Sequence, residues 1–281
     1  MKLRPATGRR FTNLAVSIWA GGSAFLGILI LFWILFVVLH RGLGAISLAF
    51  FTHLPTPPGI LGGGLANAIV GTLVLTVAST LAAVPLGLMA GIYLAEFSGD
   101  TKIANYSRFS ANVLMGMPSI IVGVFAYALL VVPLGHFSGY AGVLALAILM
   151  LPVIARTTED MLRLVPNTLR ESALALGAPR WKVTLVIVFR AAKGGLITGI
   201  LLAVARVSGE TAPLLFTALN SPYWVSSLNE PTPNLTVTIF SYAMSPYPDW
   251  QQQAWGASLL ITFGVLILTI SARFLLRERK A

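Results

Sequence analysis

Long apolar runs alternate along this chain with short polar and basic stretches. Six of the runs are of membrane length, near residues 14–39, 66–95, 111–133, 139–158, 195–219 and 254–275. A helix rises about 1.5 Å per residue, so about 20 apolar residues cross a hydrocarbon layer about 30 Å thick. The second run is long enough to tilt or to project beyond the bilayer. The pattern predicts an all-α membrane protein with six transmembrane helices and no internal repeat. Pro85, Pro118, Pro152 and Pro213 fall inside or near the ends of the runs, where proline kinks a helix and frees backbone carbonyls. Gly87 and Gly91, like Gly195 and Gly199, have the four-residue spacing that permits close helix–helix approach.

Composition supports a membrane class. The chain is 57% hydrophobic and 10% charged, against about 25% charged in an ordinary soluble domain. It has no cysteine, which excludes a disulfide framework or a thiolate metal site. The basic start followed by an apolar stretch resembles a signal peptide. The first run, 14–39, is longer than the core of about 7–15 residues in a cleaved signal, so a retained span is expected.

The net charge of +10 suggests nucleic acid until its distribution is read. With six spans, all of the 19 basic residues except Arg41 and Arg206 fall on one side. That is a topology signal, placing both termini in the cytoplasm. The opposite side carries a turn-rich segment over 41–65 and a segment over 220–253 without Lys or Arg. Tyr223, Trp224, Trp250 and Trp255 suit a membrane–water interface.

The run over 195–219 holds two charges in its middle. Read as one helix, it puts Arg206 about 16 Å beyond Gly195, near mid-bilayer, with Glu210 four residues on and on the same face. Charges at that depth cost a few kcal/mol each unless paired or solvated, and they mark ion or substrate pathways. A cationic stop in a polar lumen points to an anion as cargo. The alternative is a static ion pair joining helices. Ser208 and Thr211 are weak candidates for the same lumen. Arg156, just past Pro152, is a second cationic position. Glu159 and Asp160 read as surface partners of Arg163 at the membrane edge.

Active transport needs energy, yet the chain lacks the phosphate-cradling G-x-x-x-x-G-K-[ST] pattern and has no Gly-Lys pair at all. H-E-x-x-H and G-x-S-x-G are missing too, and the three histidines are scattered on the outer side. An ATPase would have to be a separate chain docked at the basic side. Its seat is the loop 156–195, where Pro166 starts a short helix and Gly177 stops it. Leu169, Ala173 and Leu176 share one face of that helix.

At this loop the chain resembles a family. ESALALGAPRWKVTLVIVF is similar to the cytoplasmic loop of ABC importer permeases, which begins Glu-Ala-Ala and has a glycine six residues after the glutamate. Glu171, Ala173 and Gly177 match; Ser172 replaces the first alanine, and Phe189-Arg190 stand where Leu-Pro is frequent. GMPSIIVGVFAY, LPVIARTTEDMLRLVP, ARVSGETAPLLFTAL and the SPY…WQQQAWGASLLIT region resemble the phosphate-importer permeases of the PstA type.

The resemblance implies a type I ABC importer permease fold of six transmembrane helices. It implies a 1–65 stretch with a cytoplasmic tail, first span and outer loop, a 66–275 permease domain with a coupling loop at about 159–194, and a 276–281 cytoplasmic tail. It implies a multi-pass protein of a bacterial inner membrane in a heterodimer with a sister permease. Two copies of a cytoplasmic ATPase and an extracytoplasmic phosphate-binding protein complete the complex. No nucleic acid takes part, and no cofactor sits in this chain, since ATP-Mg belongs to the partner ATPase. Arg206, Glu210 and Arg156 would form the substrate path, and Glu171, Ala173 and Gly177 the ATPase-docking helix. Permeases for sulfate or phosphonate, and a non-transporting sensor or scaffold, are the competing readings.

Overall fold

In an apolar medium every backbone polar group must be satisfied internally, which leaves helices as the natural form for these runs. The computed structural model describes residues 6–60 and 62–275; Lys2, Arg4 and the 276–281 tail lie outside the described residues. The helices are α1 (Ala6–Leu43), α2 (Leu48–Thr52), α3 (Ala66–Phe97), α4 (Lys102–Gly116), α5 (Ser119–Leu134) and α6 (Gly139–Arg163). They continue with α7 (Asn167–Ala175), α8 (Arg180–Val207), α9 (Ala212–Leu215), α10 (Leu235–Ala243) and α11 (Pro248–Leu275). Five of them are single helices long and apolar enough to span; α4 with α5 makes a sixth candidate only as a bent pair.

Two sequence expectations are corrected. The run over 111–133 is not one helix, because α4 and α5 meet at a bend of 104°. Pro118 forces Met117 into an extended conformation (φ −75°, ψ 139°), which ends α4 by the steric rule for residues before proline. The run over 195–219 is not one helix either. Its helix begins at Arg180, passes through a π-helical stretch at Val183–Val188, and ends at Val207. The basic segment from Arg180, just after the Gly177 stop, is therefore the first part of α8. Apolar composition resumes after the Ser208-Gly209 turn in the short α9, whose Pro213 and Leu214 are buried, so the run reads as one span.

α6 is the axis of the bundle. α3 presents it with a fourth-residue stripe of Leu75, Ser79, Ala83, Gly87 and Gly91, all buried, while Gly71 on the same row meets Pro233. A methyl group added at Gly87 would meet Ile154 at 2.8 Å, and one at Gly91 would meet Thr158 at 2.5 Å. Gly195 and Gly199 likewise bring α8 against Met161 and Thr157. Both glycine pairs thus do the close packing their spacing predicts. Leu146, Met150 and Ile154 of α6, Ala83 of α3, Val122 of α5, Ala203 of α8 and Leu214 of α9 form the central core.

α1 stands to one side. Leu14, Trp19, Phe25, Phe32 and Trp33 are exposed along it, as a helix that faces lipid or another subunit requires. It meets α11 near Gly42, where Arg41 lies 5.2 Å over the Trp255 ring. Trp250 stacks on Tyr242 at 4.3 Å. Trp250 and Trp255 are thus packing residues, whereas Tyr223 and Trp224 remain exposed, as interface residues would be.

Candidate functional site

At the end opposite the basic loops, the chain folds back over the bundle. Asn67 at the start of α3 donates to Ser221 O (2.9 Å) and Tyr223 O (3.3 Å). Gly139 and Tyr140, at the start of α6, donate to Glu230 O and Leu228 O, both at 3.0 Å. Beneath this cap α8 ends. Ser208 N and Oγ both donate to Val204 O, at 3.0 and 2.8 Å, so the last carbonyls are used locally. Gly209 N and Glu210 N close the turn on Arg206 O (3.3 Å) and Val207 O (3.1 Å). Pro213 then starts α9 and packs on Gly123 of α5, where a methyl group would come within 2.6 Å of Pro213 Cα.

Arg206 and Glu210 therefore sit across a turn, not along a helix. Their pairing nevertheless forms: Arg206 Nε lies 3.8 Å from Glu210 Oε1, beyond hydrogen-bond length. The arginine side chain is 47% exposed and the glutamate 16%. No other polar partner of the Arg206 side chain occurs among the described residues. Its five N–H donors in a planar fork remain available to an anion. The backbone at Glu210 is fixed, since its carbonyl oxygen accepts from the buried Thr236 hydroxyl at 2.9 Å, and its side chain is the less exposed of the two.

Sequence reasoning missed the residue that organises this turn. Asn234, fully buried, caps α10 by accepting from Val237 N at 2.9 Å and donates to Leu219 O (2.9 Å) and Thr232 O (3.1 Å). Its Oδ1 also accepts from Thr236 Oγ1 at 3.1 Å. The signal was present as Asn immediately before the apolar stretch LTVTIF, a helix-start pattern.

At the basic end the arginines are differently placed. Glu159 is fully buried, not a surface acid. It receives Arg108 Nε and Arg163 Nη2 at 2.7 Å and Arg156 Nη1 at 3.4 Å. Arg156 also pairs with Asp160 at 3.3 Å and is 35% exposed. The correction has a simple cause. α6 extends past the bilayer-length run to Arg163, and α4, turned by the Pro118 bend, brings Arg108 over it.

The predicted docking helix forms as α7, with Pro166 at its start. Its end is a glycine-terminated cap. Gly177 has φ +81°, its N–H reaches Leu174 O at 2.9 Å, and Ala178 N reaches Ala173 O at 3.2 Å, the bonding of a Schellman end. Ala173 is buried, whereas Leu169 and Leu176 are exposed, so the apolar residues do not share one covered face. Glu171, Leu174, Leu176 and Trp181 are exposed beside one another in sequence.

The family of binding-protein-dependent transport system inner membrane components matches residues 83–277, from mid-α3 through α7 and the Arg206 turn. The chain belongs to that family. Its α1 and the segment before residue 83 lie outside the matched part. Among family relatives, the phosphate transport system permease protein PstA of Yersinia pestis is 48% identical over 272 residues, 97% of this chain and 92% of that one. The protein of the same name from Haemophilus influenzae is 48% identical over 258 residues, 92% of this chain and 91% of its own. A probable PstA of Methanocaldococcus jannaschii is 38% identical over 264 residues, 92% of this chain and 91% of that protein.

Solved structures agree on the fold. An inward-facing MetNI methionine ABC transporter superposes with a TM-score of 0.61 at 20% identity, covering 76% of this chain and 94% of that one. A bacterial ABC transporter involved in alginate import gives 0.64 at 13% identity, covering 97% of this chain and all of that one. The architecture is that of type I ABC importer permeases.

Proposed function

We propose that this chain is the transmembrane permease subunit of an ATP-driven importer of inorganic phosphate, forming half of the translocation path. The observation that carries the reading is near-full-length similarity to PstA proteins together with a half-exposed, loosely paired arginine at the break in a spanning helix. Phosphate near neutral pH is a mixture of singly and doubly charged anions. A guanidinium fork binds its oxygens with paired, charge-assisted hydrogen bonds. Glu210 holds Arg206 when no anion is present, and phosphate competes with it; a weak standing pair lets the anion leave again. Arg156, held by Glu159 and Asp160, serves as a second cationic stop nearer the basic end.

The energy comes from elsewhere. α7, with Glu171 outward, Ala173 inward and Gly177 ending it, docks a cytoplasmic ATPase whose bound ATP-Mg is hydrolysed on that partner. A homologous sister permease completes the path in a heterodimer, two ATPase copies serve the pair, and an extracytoplasmic phosphate-binding protein delivers the anion. The protein then lies in a bacterial inner membrane with both termini and the basic end in the cytoplasm. Uptake of radiolabelled phosphate under phosphate limitation, in cells lacking the chain and complemented with it, tests the reading. Rescue that excess sulfate or phosphonate does not inhibit is expected; absence of a phosphate phenotype would overturn it.

A further inference from the structure

Arg170 and Glu171 are neighbours on α7 with opposite surroundings. Glu171 is exposed, whereas the Arg170 side chain is 17% exposed and reaches back into the bundle. Its Nη2 meets Glu96 Oε1 at 2.7 Å and its Nε meets Glu96 Oε2 at 3.3 Å, a two-point grip on a carboxylate that is itself 9% exposed. The same Nη2 donates to Leu162 O at 2.7 Å, and Nη1 donates to Val165 O and, at 3.2 Å, to Asn167 Oδ1. One guanidinium thus joins the last turn of α3, the end of α6 and the start of α7. Glu96 lies in the π-helical turn Tyr93–Phe97 that ends α3. Such wide turns recur at functional positions.

Around the pair, Ile92 and Ala95 of α3 pack with Leu162, Val165 and Ala173. The contact between α7 and α3 therefore has an apolar bed and one ion pair, the only ion pair between these helices among the described residues. A bidentate pair fixes direction as well as distance, and separating it leaves two nearly buried charges. α7 cannot move without drawing the end of α3 or breaking this pair.

We infer that the Glu96–Arg170 pair is the strut that carries displacement of α7 into α3, so that Glu96 and Arg170 are positioning residues for transport, not docking residues. The inference rests on the proposed reading of α7 as the seat of an ATPase. It separates two tasks within consecutive residues: Glu171 faces the partner, and Arg170 transmits what the partner does. α3 is the helix that packs along α6 through Gly87 and Gly91, so a pull at Glu96 reaches the central core directly.

The test uses the assembled transporter with its partner chains, in lipid, as wild type, Glu96→Gln and Glu96→Asp. Aspartate keeps the charge but is too short for the two-point grip. Hydrogen exchange is followed over 92–98 and 167–176 with and without a non-hydrolysable ATP analogue, and ATP hydrolysed per phosphate imported is measured in parallel. Wild type should show nucleotide-dependent changes in both segments. Both variants should keep the change at 167–176, lose at least about five-fold of the change at 92–98, and use at least about ten-fold more ATP per phosphate. An undiminished change at 92–98 in both variants would overturn the strut. Loss of the ATPase from both variant complexes would also overturn it, by making the pair an assembly element. The exchange result does not depend on the transported anion; failure of the wild-type complex to import phosphate would count against the proposed function alone.

Discussion

Two groups of arginines in this chain differ in how fully their donors are used. At the basic end, Arg108 is bonded to Glu159, Asn105, Leu94 O and Ser98, and Arg170 is bonded to Glu96, Asn167 and two carbonyls. At the break after α8, Arg206 has one carboxylate at 3.8 Å. Saturated guanidinium groups hold helices together and have little left for a ligand. An arginine with one loose partner is stabilised enough to remain in the membrane yet free to exchange that partner for an anion. The chemical group is the same, and under the proposed function the looseness of its pairing distinguishes the candidate site at Arg206 from the scaffold arginines.

The largest effect is expected at the saturated end. Glu159→Ala removes the acceptor shared by three arginines, and breaking such a buried pair costs about 3–5 kcal/mol. Membrane abundance and the thermal stability of the purified complex should fall sharply; unchanged stability would make the cluster ornamental. Arg156→Gln leaves Glu159 with two arginines. It should lower phosphate uptake about ten-fold with abundance nearly kept, a smaller loss than at Arg206, and an equal loss would mean that the two positions are not graded.

Glu210→Gln sharpens the other side. It leaves Arg206 with no counter-charge, so a bound phosphate has nothing to displace it. Uptake should fall several-fold while phosphate retention by the purified complex rises, and a wild-type rate would refute the pairing role. The smallest effect is at the cap of α7. Gly177→Ala forces a side chain into a left-handed backbone position, a strain of about 1 kcal/mol. ATPase co-purification should weaken modestly, and no change would show that the cap does not position the docking helix.

Much of this architecture is legible in the residues. Apolar length placed four of the six runs on single spanning helices, the glycine spacing anticipated the close contacts that α3 and α8 make with α6, and Pro166 and Gly177 bounded α7 within a residue or two. Three features were hidden for a physical reason. Apolar periodicity does not distinguish a straight helix from one broken at Pro118 or Ser208-Gly209, because apolar residues continue on both sides of each break. Glu159 read as a surface acid because its burial depends on Arg108, 51 residues earlier, arriving on the bent α4. Asn234 carried a capping signal, but its hold on Leu219 O spans a loop whose path no local pattern specifies. The Arg206–Glu210 pair was anticipated through a helix and forms through a turn. Four residues of separation bring the side chains together in either geometry.

Under the proposed function, Arg206 is available to an anion because its side chain has a single partner at 3.8 Å. The most direct test is radiolabelled phosphate uptake, under phosphate limitation, in cells lacking the chain and carrying wild type or Arg206→Gln at equal membrane abundance. Uptake should be at least about a hundred-fold lower in the variant with the complex still assembled. Uptake by Arg206→Gln at the wild-type rate would contradict this and make Arg206 a structural residue.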